Sequence, residues 1–153
     1  MGNVKFAEEV LTDELIEELK PLIESHDNEL SHYKDIKLKP DFEAYKTAYK
    51  IGLIRFYTAR KLVGDKLLGY NLFWLRANAH YSDSLQAVQD VVYIDKSERG
   101  FGNNFIKWCD SELKKIGVEV VYQHMKAAHS FGPMLERMGY ELVDLVYAKR
   151  LGD

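Results

Sequence analysis

The run Arg99-Gly-Phe-Gly-Asn-Asn104 has the residue types and order of an anion-binding turn. An apolar stretch precedes it and an amphipathic stretch follows, so the run connects a predicted strand to the start of a predicted helix. The first N–H groups of a helix lack partners within the helix and carry partial positive charge, which suits a phosphate. Gly100 and Gly102 permit positive φ and close approach of the backbone, and Arg99 adds a permanent cation. The run therefore predicts a phosphate site.

Two other phosphate motifs do not fit this run. A P-loop requires Gly-Lys followed by Ser or Thr, and no such residues follow Gly102. The dinucleotide fingerprint requires a G-x-G-x-x-G spacing, which is also absent. A plain turn between a strand and a helix, without a ligand, remains the alternative interpretation.

Two helices are predicted in the first part of the chain, where apolar residues recur at helical spacing. The first helix begins at Thr12 or Asp13, and the second begins after Asp41, which is a suitable cap. Pro21 is expected to kink or interrupt the first helix, because an interior proline costs about 3 kcal/mol. The polar stretch from Ser25 to residue 39 predicts a loop between the two helices.

The rest of the chain alternates between strand and helix patterns. Strands are predicted at residues 53–61, 66–76, 86–94, 118–125 and 140–151, the last as one strand or two, and helices at 104–116 and 131–138. Val63-Gly-Asp65 predicts a hairpin turn, and a polar loop is expected at 80–84. Together with a short apolar start, the order is β-α-α-β-β-β-α-β-α-β. It predicts an α/β (α+β) domain whose mixed sheet has helices on its faces and ends in a parallel β-α-β unit.

Composition restricts the classes of function. The 153 residues, 46% hydrophobic and 29% charged, predict a single domain over 1–153, and the net charge of −3 argues against a nucleic-acid partner. No stretch approaches the roughly 18 apolar residues that span a bilayer, so no membrane partner is expected. The lone Cys109 fits a reducing, cytoplasmic location, and the histidines show no metal-site spacing. The oligomeric state is left open, with a homodimer as one case.

The 99–104 run resembles the Arg/Gln-x-x-Gly-x-Gly/Ala motif of the GNAT superfamily of N-acetyltransferases. Arg99 takes the first place and Gly102 the middle one, while Asn104 stands where Gly or Ala is usual. Residues 92–100, Val-Tyr-Ile-Asp-Lys-Ser-Glu-Arg-Gly, are similar to the family's fourth strand and pyrophosphate loop. Residues 135–140, Leu-Glu-Arg-Met-Gly-Tyr, resemble its fourth helix. With the matching order of elements, the resemblance extends over nearly the whole chain.

The resemblance implies a fold, a co-substrate and a reaction. The implied fold is a mixed, mainly antiparallel sheet of six or seven strands, splayed between strands four and five, with helices on both faces. The implied reaction transfers an acetyl or short acyl group from acetyl-CoA to a primary amine of a small molecule or protein, by direct attack in a ternary complex. The resemblance implies that the co-substrate lies against Tyr93, Ile94, Arg99, Gly100, Phe101, Gly102, Asn103, Asn104 and Ser130.

Asp90 is the first candidate for a general base in such a reaction, since the amine must be neutral to attack. It is an acid within an otherwise apolar strand, and regular alternation places it on one face with Val92 and Ile94. It lies two residues after Val88 and is therefore expected on the same face of the strand. Val88 is the position that corresponds to a glutamate base in some members of the family. The competing interpretation is an aspartate bonded to loop backbone near residues 80 and 81.

The family's usual acid, a tyrosine of the fourth helix, has no counterpart here, because Leu135 stands at the matching position. His129, Ser130 and Tyr147 are the candidates to replace it. Plainer interpretations remain open: His129 as a loop histidine, Tyr147 as a packed strand aromatic, and departure of the thiolate without a protein acid.

His80-Tyr81, Gln89-Asp90 and Tyr147-Ala-Lys-Arg150 resemble small members of the family encoded by bacteriophages. With Leu135 at the acid position, this resemblance supports an alternative function. In that alternative the chain is a catalytically weak or inactive GNAT-like module that binds a host protein.

Overall fold

The computed structural model describes residues 2–152, which form a five-stranded sheet with helices on both faces. In chain order the elements are β1 (Val4–Glu8), α1 (Asp13–Leu30), α2 (Phe42–Lys50), β2 (Ile54–Lys61), β3 (Leu67–Asn78), β4 (Tyr81–Ile94), a 3₁₀ turn (Lys96–Glu98), α3 (Gly102–Lys115), β5 (Val120–Tyr122), a second 3₁₀ turn (Ala127–His129) and α4 (Gly132–Arg137). The strands lie in sequence order, antiparallel from β1 to β4, with β5 parallel to β4. The mixed, mainly antiparallel sheet is confirmed, whereas six or seven strands are not, because the described residues form five.

The helix α1 begins at a predicted cap, where the Oγ1 atom of Thr12 accepts the N–H group of Leu15 at 3.1 Å. It runs without interruption through Pro21 to Leu30, so the predicted interruption is wrong and the predicted loop begins after Leu30 rather than at Ser25. Proline removes one helical hydrogen bond, but burial of an apolar face against the sheet stabilises the helix as a whole. That face consists of Leu15, Ile16, Leu19 and Leu22.

Two predicted local signals are confirmed, and one is wrong. Asp41 caps α2 by accepting the N–H group of Ala44 at 3.0 Å. Between β2 and β3, Gly64 and Asp65 both have positive φ, as a tight hairpin turn requires. The polar loop predicted at 80–84 is instead mostly strand, because the β3–β4 ladder extends to the pair formed by Asn78 and Tyr81.

The sheet separates two hydrophobic cores. The α1/α2-side core consists of Leu11, Leu15, Leu19, Leu22, Ala48, Ile54, Phe56, Leu67, Tyr70, Leu72 and Tyr93. The α3-side core consists of Tyr57, Ala59, Leu68, Phe73, Leu75, Ala87, Phe101, Phe105, Cys109, Leu113 and Val118. Because β4 contributes to both cores, its direction and twist are fixed from both faces, and so is the turn that follows it.

The C-terminal segment, residues 141–152, is not part of the sheet. The strand predicted over 140–151 is therefore wrong, and β5 is shorter than the predicted 118–125. A strand requires a ladder of backbone hydrogen bonds with a neighbour, and this segment makes none with any other described residue. Its one side-chain hydrogen bond joins Arg150 Nε to Asp35 Oδ2 at 3.2 Å.

Candidate active site

The 99–104 turn joins the end of β4 to the start of α3. Gly100 has a φ of +133°, which side-chain-bearing residues rarely adopt. Gly102 does not use that freedom, since its φ is not positive. A Cβ atom at Gly102 would instead lie 3.2 Å from Ile94 Cδ1, so the missing side chain lets α3 start close to the end of β4. Gly100 thus bends the backbone, and Gly102 permits close packing of α3 against the end of β4.

The N-terminus of α3 is held in place by the buried face of the helix. Phe105, Cys109 and Leu113 on that face are fully buried, whereas Ile116 is exposed. Phe101, at the cap position, packs into the α3-side core and provides no side-chain acceptor for the first turn. That turn also contains no acidic side chain. The positive end of the α3 dipole is therefore not neutralised by a carboxylate of its own first turn.

Arg99 is engaged by an acidic residue that the sequence does not reveal. Its Nη2 atom lies 2.9 Å from both carboxylate oxygens of Glu29, in the last turn of α1. Its Nε atom donates to the carbonyl oxygen of Ile94 at 3.2 Å, and its guanidinium lies 5.8 Å from the centre of the Tyr93 ring. The predicted phosphate donor is thus paired with a carboxylate.

The environment of Glu29 favours its charged form. Burial alone would raise the pKa of this carboxyl group. The hydrogen bonds and charge of Arg99, with the charge of Lys96, outweigh that effect and lower the pKa. Beside this ion pair lies a cleft of about 310 Å³, lined by Ser25, Asn28, Tyr93, Asp95 and Lys96. Lys96 also pairs with Glu29, at 3.8 Å, so a phosphate that enters this region competes with the same carboxylate for both cations.

The strands β4 and β5 separate soon after they meet. Their ladder has three residue pairs, from Gln86 to Val88 of β4, whereas β4 continues to Ile94. Just beyond the ladder, the Gln89 side chain accepts the backbone N–H group of His124 at 2.7 Å and connects the diverging chains. In an antiparallel strand, alternate residues point their N–H and C=O groups away from the paired neighbour. The end of β4 therefore presents an open strand edge next to the 99–104 turn.

Asp90 lies at a β-bulge, which changes the face that it occupies. In the β3–β4 ladder, Leu72 pairs with Val91 and Phe73 with Gln89, so Asp90 is the extra residue. The predicted common face with Ile94 is wrong, since Ile94 packs against the α3-side core. The bulge turns the Asp90 carboxylate to the other face of the sheet, towards α2.

The partner of Asp90 on that face is Tyr45 of α2. The Tyr45 hydroxyl donates to Asp90 Oδ2 at 2.9 Å, and its ring lies 6.2 Å from the ring of Trp74. Burial, with the negative charge of Asp90, raises the pKa of Tyr45 to about 12, so this hydroxyl stays protonated at neutral pH. Asp90 itself is exposed. The expected bond to loop backbone near residues 80 and 81 is not observed among the described residues.

The candidates for a proton donor come from two segments of the chain, residues 129–130 and the C-terminal segment. Ser130 Oγ accepts the N–H group of Gly132 at 3.2 Å and lies 3.5 Å from the sulfur of Met125. His129 is exposed at the end of the second 3₁₀ turn, and Tyr147 is 92% exposed in the C-terminal segment. The interpretation of Tyr147 as a packed strand aromatic is therefore wrong.

Among the described residues, no hydrogen bond or ion pair joins Asp90, His129 and Tyr147 to one another. Leu135, at the position of the family's usual acid, is 6% exposed and lies on the buried face of α4. Of the residues predicted to bind the co-substrate, all but Ser130 lie at the end of β4 or in the turn and helix start that follow it.

Sequence reasoning missed a half-buried group of polar side chains near the diverging strands. The Tyr140 hydroxyl donates to Asp110 Oδ1 at 2.7 Å, and the Gln123 amide lies 3.4 Å from the same hydroxyl. Burial raises the pKa of Asp110, which the Tyr140 bond partly offsets, and burial also raises the pKa of Tyr140. The three residues come from α3, the end of β5 and the end of α4, so no local spacing signals their contact.

Two further features concern the described residues only. They contain no group of three or more His, Cys, Asp or Glu side chains arranged to hold a metal ion. None of the helices in this part of the chain has the length and apolar character needed to cross a membrane.

Comparison with known proteins shows likeness of fold at low sequence identity. No protein-family model and no curated protein sequence matches the chain. A ribosomal-protein-alanine N-acetyltransferase from Brucella melitensis biovar Abortus 2308 superposes with a TM-score of 0.71 at 18% identity, over 97% of this chain and 99% of that one. An aminoglycoside acetyltransferase from an uncultured soil metagenomic sample, in complex with sisomicin, gives 0.69 at 15% identity, over 96% and 97%.

A transcriptional regulator from Bacillus halodurans C-125 is similar too, with a TM-score of 0.75 at 15% identity over 97% and 99% of the two chains. Because each identity is below a fifth, the likeness establishes the fold and not the activity. The chain has the GNAT-like fold of these proteins, in agreement with the fold that the resemblance implied.

Proposed function

We propose that this chain is an acetyl-CoA-dependent N-acyltransferase of the GNAT type, which transfers an acetyl or short acyl group to a primary amine. The observation that carries the proposal is the position of the 99–104 turn and the α3 N-terminus, beside the open edge of β4. The fold shared with acetyltransferases supports the same reaction. A cytoplasmic site of action belongs to the proposal, since the lone Cys109 fits a reducing compartment.

The residues at this place fit the two polar parts of the co-substrate. Backbone N–H groups between Gly100 and Asn104 would hold the pyrophosphate, and no acid in the first turn of α3 opposes it. The backbone groups of Tyr93 and Ile94 that face the open edge of β4 would bond the amides of the pantetheine arm. Ser130 would lie near the thioester end. When bound, acetyl-CoA supplies the activated acyl group.

Asp90 is our candidate for proton removal from the amine. An exposed carboxylate attracts a cationic amine, and it takes a proton directly or through water as the nitrogen attacks the thioester carbon. The Tyr45 hydroxyl, bonded to Asp90, fixes the orientation of the carboxylate. The C–N bond forms as the C–S bond breaks, and the amine proton passes to Asp90 or to water.

The departing sulfur needs no dedicated protein acid. Leu135 is buried and has no proton to give. A thiol has a pKa of about 8.5, so its thiolate is a far better leaving group than an alkoxide and takes its proton from solvent. His129 and Tyr147 remain candidates to supply that proton, and both are exposed.

The binding step is tested by Asn103→Asp, which adds one negative charge to the first turn of α3. Asn103 is exposed, and an acid at this place favours the helix dipole, so the melting temperature should not fall. Repulsion of the pyrophosphate should weaken acetyl-CoA binding at least about tenfold, or roughly 1.4 kcal/mol, in isothermal titration calorimetry.

The matched control is Asn103→Ser, which is neutral and should bind within about threefold of the wild type. If the wild-type protein gives no heat with acetyl-CoA, or if Asn103→Asp binds as tightly, the pyrophosphate site is elsewhere.

A second candidate function is a GNAT-like module that binds a host protein without turnover, as the resemblance to bacteriophage-encoded members also implies. The buried Leu135 and the pairing of Arg99 with Glu29 both favour it. Release of free CoA separates the two functions, measured with aminoglycosides, amino sugars and peptides with a free N-terminus. Turnover with any of these amines excludes the module, whereas acetyl-CoA binding without turnover across the whole panel supports it.

A further inference from the structure

Four side chains from three parts of the fold meet beside the 99–104 turn. His26 and Glu29 lie three residues apart in α1 and therefore on the same face of that helix. Tyr93 belongs to the end of β4, and Arg99 belongs to the turn itself. These four residues form the His26 cluster, in which the imidazole is a titratable group that the proposed acyl transfer does not use.

The ring of Tyr93 connects the members of the His26 cluster. The His26 ring stacks on it, with the centroids 5.0 Å apart and the planes 13° from parallel. The Arg99 guanidinium lies 5.8 Å from the centroid of the same ring, and the Tyr93 hydroxyl donates to the Glu29 carboxylate. Because Arg99 also pairs with Glu29, a change of charge or partner at one member acts directly on the others.

The hydrogen bond of His26 suits both protonation states of its ring. The Nδ1 atom lies 3.0 Å from the hydroxyl of Tyr70, which belongs to β3. A hydroxyl group can donate to a neutral imidazole and can accept from a protonated one, so the contact persists when a proton is added. His26 can therefore gain a positive charge without leaving its place on Tyr93.

Charged groups from two parts of the fold act on His26. Burial lowers the pKa of the imidazole, whereas the negative charges of Glu29 and Asp27 in α1 raise it. Lys126, in the loop after β5, lowers this pKa further. The net effect lowers the pKa of His26, so the ring is mainly neutral at neutral pH while Glu29 has its present partners.

The other groups around the imidazole keep their charge near neutral pH. Burial raises the pKa of the Tyr70 hydroxyl and that of the Tyr93 hydroxyl, so both stay protonated. Arg99 and Lys96 are cations, and both pair with Glu29, at 2.9 and 3.8 Å. The imidazole is therefore the member of the His26 cluster whose charge changes most readily.

A phosphate bound at the turn would take partners from Glu29. Arg99 and Lys96 are the cations that such a phosphate attracts, and both now lie against this carboxylate. The Glu29 side chain is only 14% exposed, and a carboxylate with so little access to water is costly to leave without a cation. His26, on the same face of the same helix, can supply the replacement charge by taking up a proton.

We propose that His26 is a positioning residue, which takes up a proton from solvent when a phosphate of the co-substrate draws Arg99 away from Glu29. This role rests on the proposed function, since the phosphate belongs to acetyl-CoA. The protonated imidazole then replaces Arg99 as the cation beside Glu29. It keeps α1 against the end of β4 while Arg99 holds the ligand.

The uptake of a proton fixes the sign of the pH dependence. The pKa of His26 is higher in the complex than in the free protein, so affinity is highest below the pKa of the free protein. Affinity is lost as the pH rises through the pKa of the complex. One proton taken up per ligand changes the dissociation constant by up to about tenfold per pH unit.

The test is calorimetry of acetyl-CoA binding in buffers of different ionisation enthalpy, which counts the protons taken up. We expect the wild type to take up about half a proton or more per ligand near pH 6.5. From about pH 6 to about pH 8, its dissociation constant should rise roughly threefold to tenfold more than that of His26→Gln. Titration of the ligand's own phosphates is common to both proteins and cancels.

Two observations keep this comparison specific. The Gln side chain of His26→Gln can still bond the Tyr70 hydroxyl, so circular dichroism should show an unchanged fold. The matched control is His32→Gln, which removes an exposed histidine from the segment after α1 and should take up protons as the wild type does.

Nuclear magnetic resonance of the His26 ring locates the proton. Its titration should move to higher pH when acetyl-CoA is bound. A titration that does not move, or equal proton uptake by the wild type and His26→Gln, overturns the proposal. Glu29→Gln should also lose the uptake, because it leaves no carboxylate in need of a new cation. Unchanged uptake in that variant overturns the exchange of partners.

Failure of this role is distinguishable from failure of the proposed function. If acetyl-CoA gives no heat, the proposed function fails, and inorganic pyrophosphate replaces it in the same measurements, since it also attracts Arg99. Binding of either ligand without proton uptake at His26 overturns the role of His26 and leaves the binding site standing. If neither ligand binds, both proposals fail.

Discussion

The 99–104 turn and the surroundings of Asp90 are built in different ways. At the turn, the features that suit an anion belong to the backbone: the positive φ of Gly100 and the first N–H groups of α3. At Asp90, the feature that suits an amine is one carboxylate, oriented by a hydroxyl from α2. The first region depends on conformation and tolerates many side chains, whereas the second depends on a side chain that a bulge presents.

This difference predicts opposite sensitivities. A substitution that only removes a charge should matter most at Asp90, and one that only restricts the backbone should matter most at Gly100. A result in which both regions respond alike would remove the distinction.

The largest effect is expected from Asp90→Asn, which removes the charge and keeps the shape. A general base contributes about a hundredfold or more to an acyl transfer, so kcat should fall by about that factor while acetyl-CoA affinity stays unchanged. Release of CoA with a reactive amine measures kcat, and calorimetry measures affinity. A rise in KM at constant kcat would show that Asp90 attracts the amine without taking its proton.

Tyr45→Phe, which keeps the ring beside Trp74, should lower kcat less than Asp90→Asn does.

An intermediate effect is expected from Gly100→Ala. Nothing lies within 4 Å of the added Cβ atom, so the cost comes from the backbone alone. A strained φ costs about 1–3 kcal/mol, which should lower the free energy of unfolding or deform the turn and weaken acetyl-CoA binding about tenfold. Gly102→Ala is the matched control, since it meets only the flexible end of Ile94 and should bind nearly as the wild type. Equal losses in the two variants would mean that packing, not conformation, makes the turn.

The smallest effect is expected from Glu29→Gln, which releases Arg99 for a phosphate. Acetyl-CoA affinity should rise about threefold to tenfold, because the ligand no longer competes with a carboxylate. Asp27→Asn removes the same charge from the same helix, and it should leave affinity unchanged, because Asp27 makes no ion pair with Arg99. Weaker binding in Glu29→Gln would show that Arg99 needs Glu29 to hold its position.

Local sequence predicted the features that depend on neighbouring residues. The caps at Thr12 and Asp41 and the hairpin at Gly64 are of this kind, because each is formed by atoms within a few residues. The path through Pro21 was not predicted, since tertiary burial outweighs the local cost of a proline. The contact of Arg99 with Glu29 joins residues 70 positions apart, and no spacing rule reaches that far.

The bulge in β4 has a consequence for how the strand's sequence is compared with others. Ala87 and Tyr93 are an even number of residues apart, yet they enter opposite cores. The alternation of side chains between the two faces of the strand therefore shifts by one residue at Asp90. If a related chain of equal length lacks the bulge, its alternation of side chains matches this strand on one side of Asp90 only. On the other side, its polar and apolar positions appear exchanged. Deletion of Asp90 is accordingly a different change from its substitution, because it removes the extra residue and joins Gln89 to Val91 in a regular strand, with both halves still on their present faces.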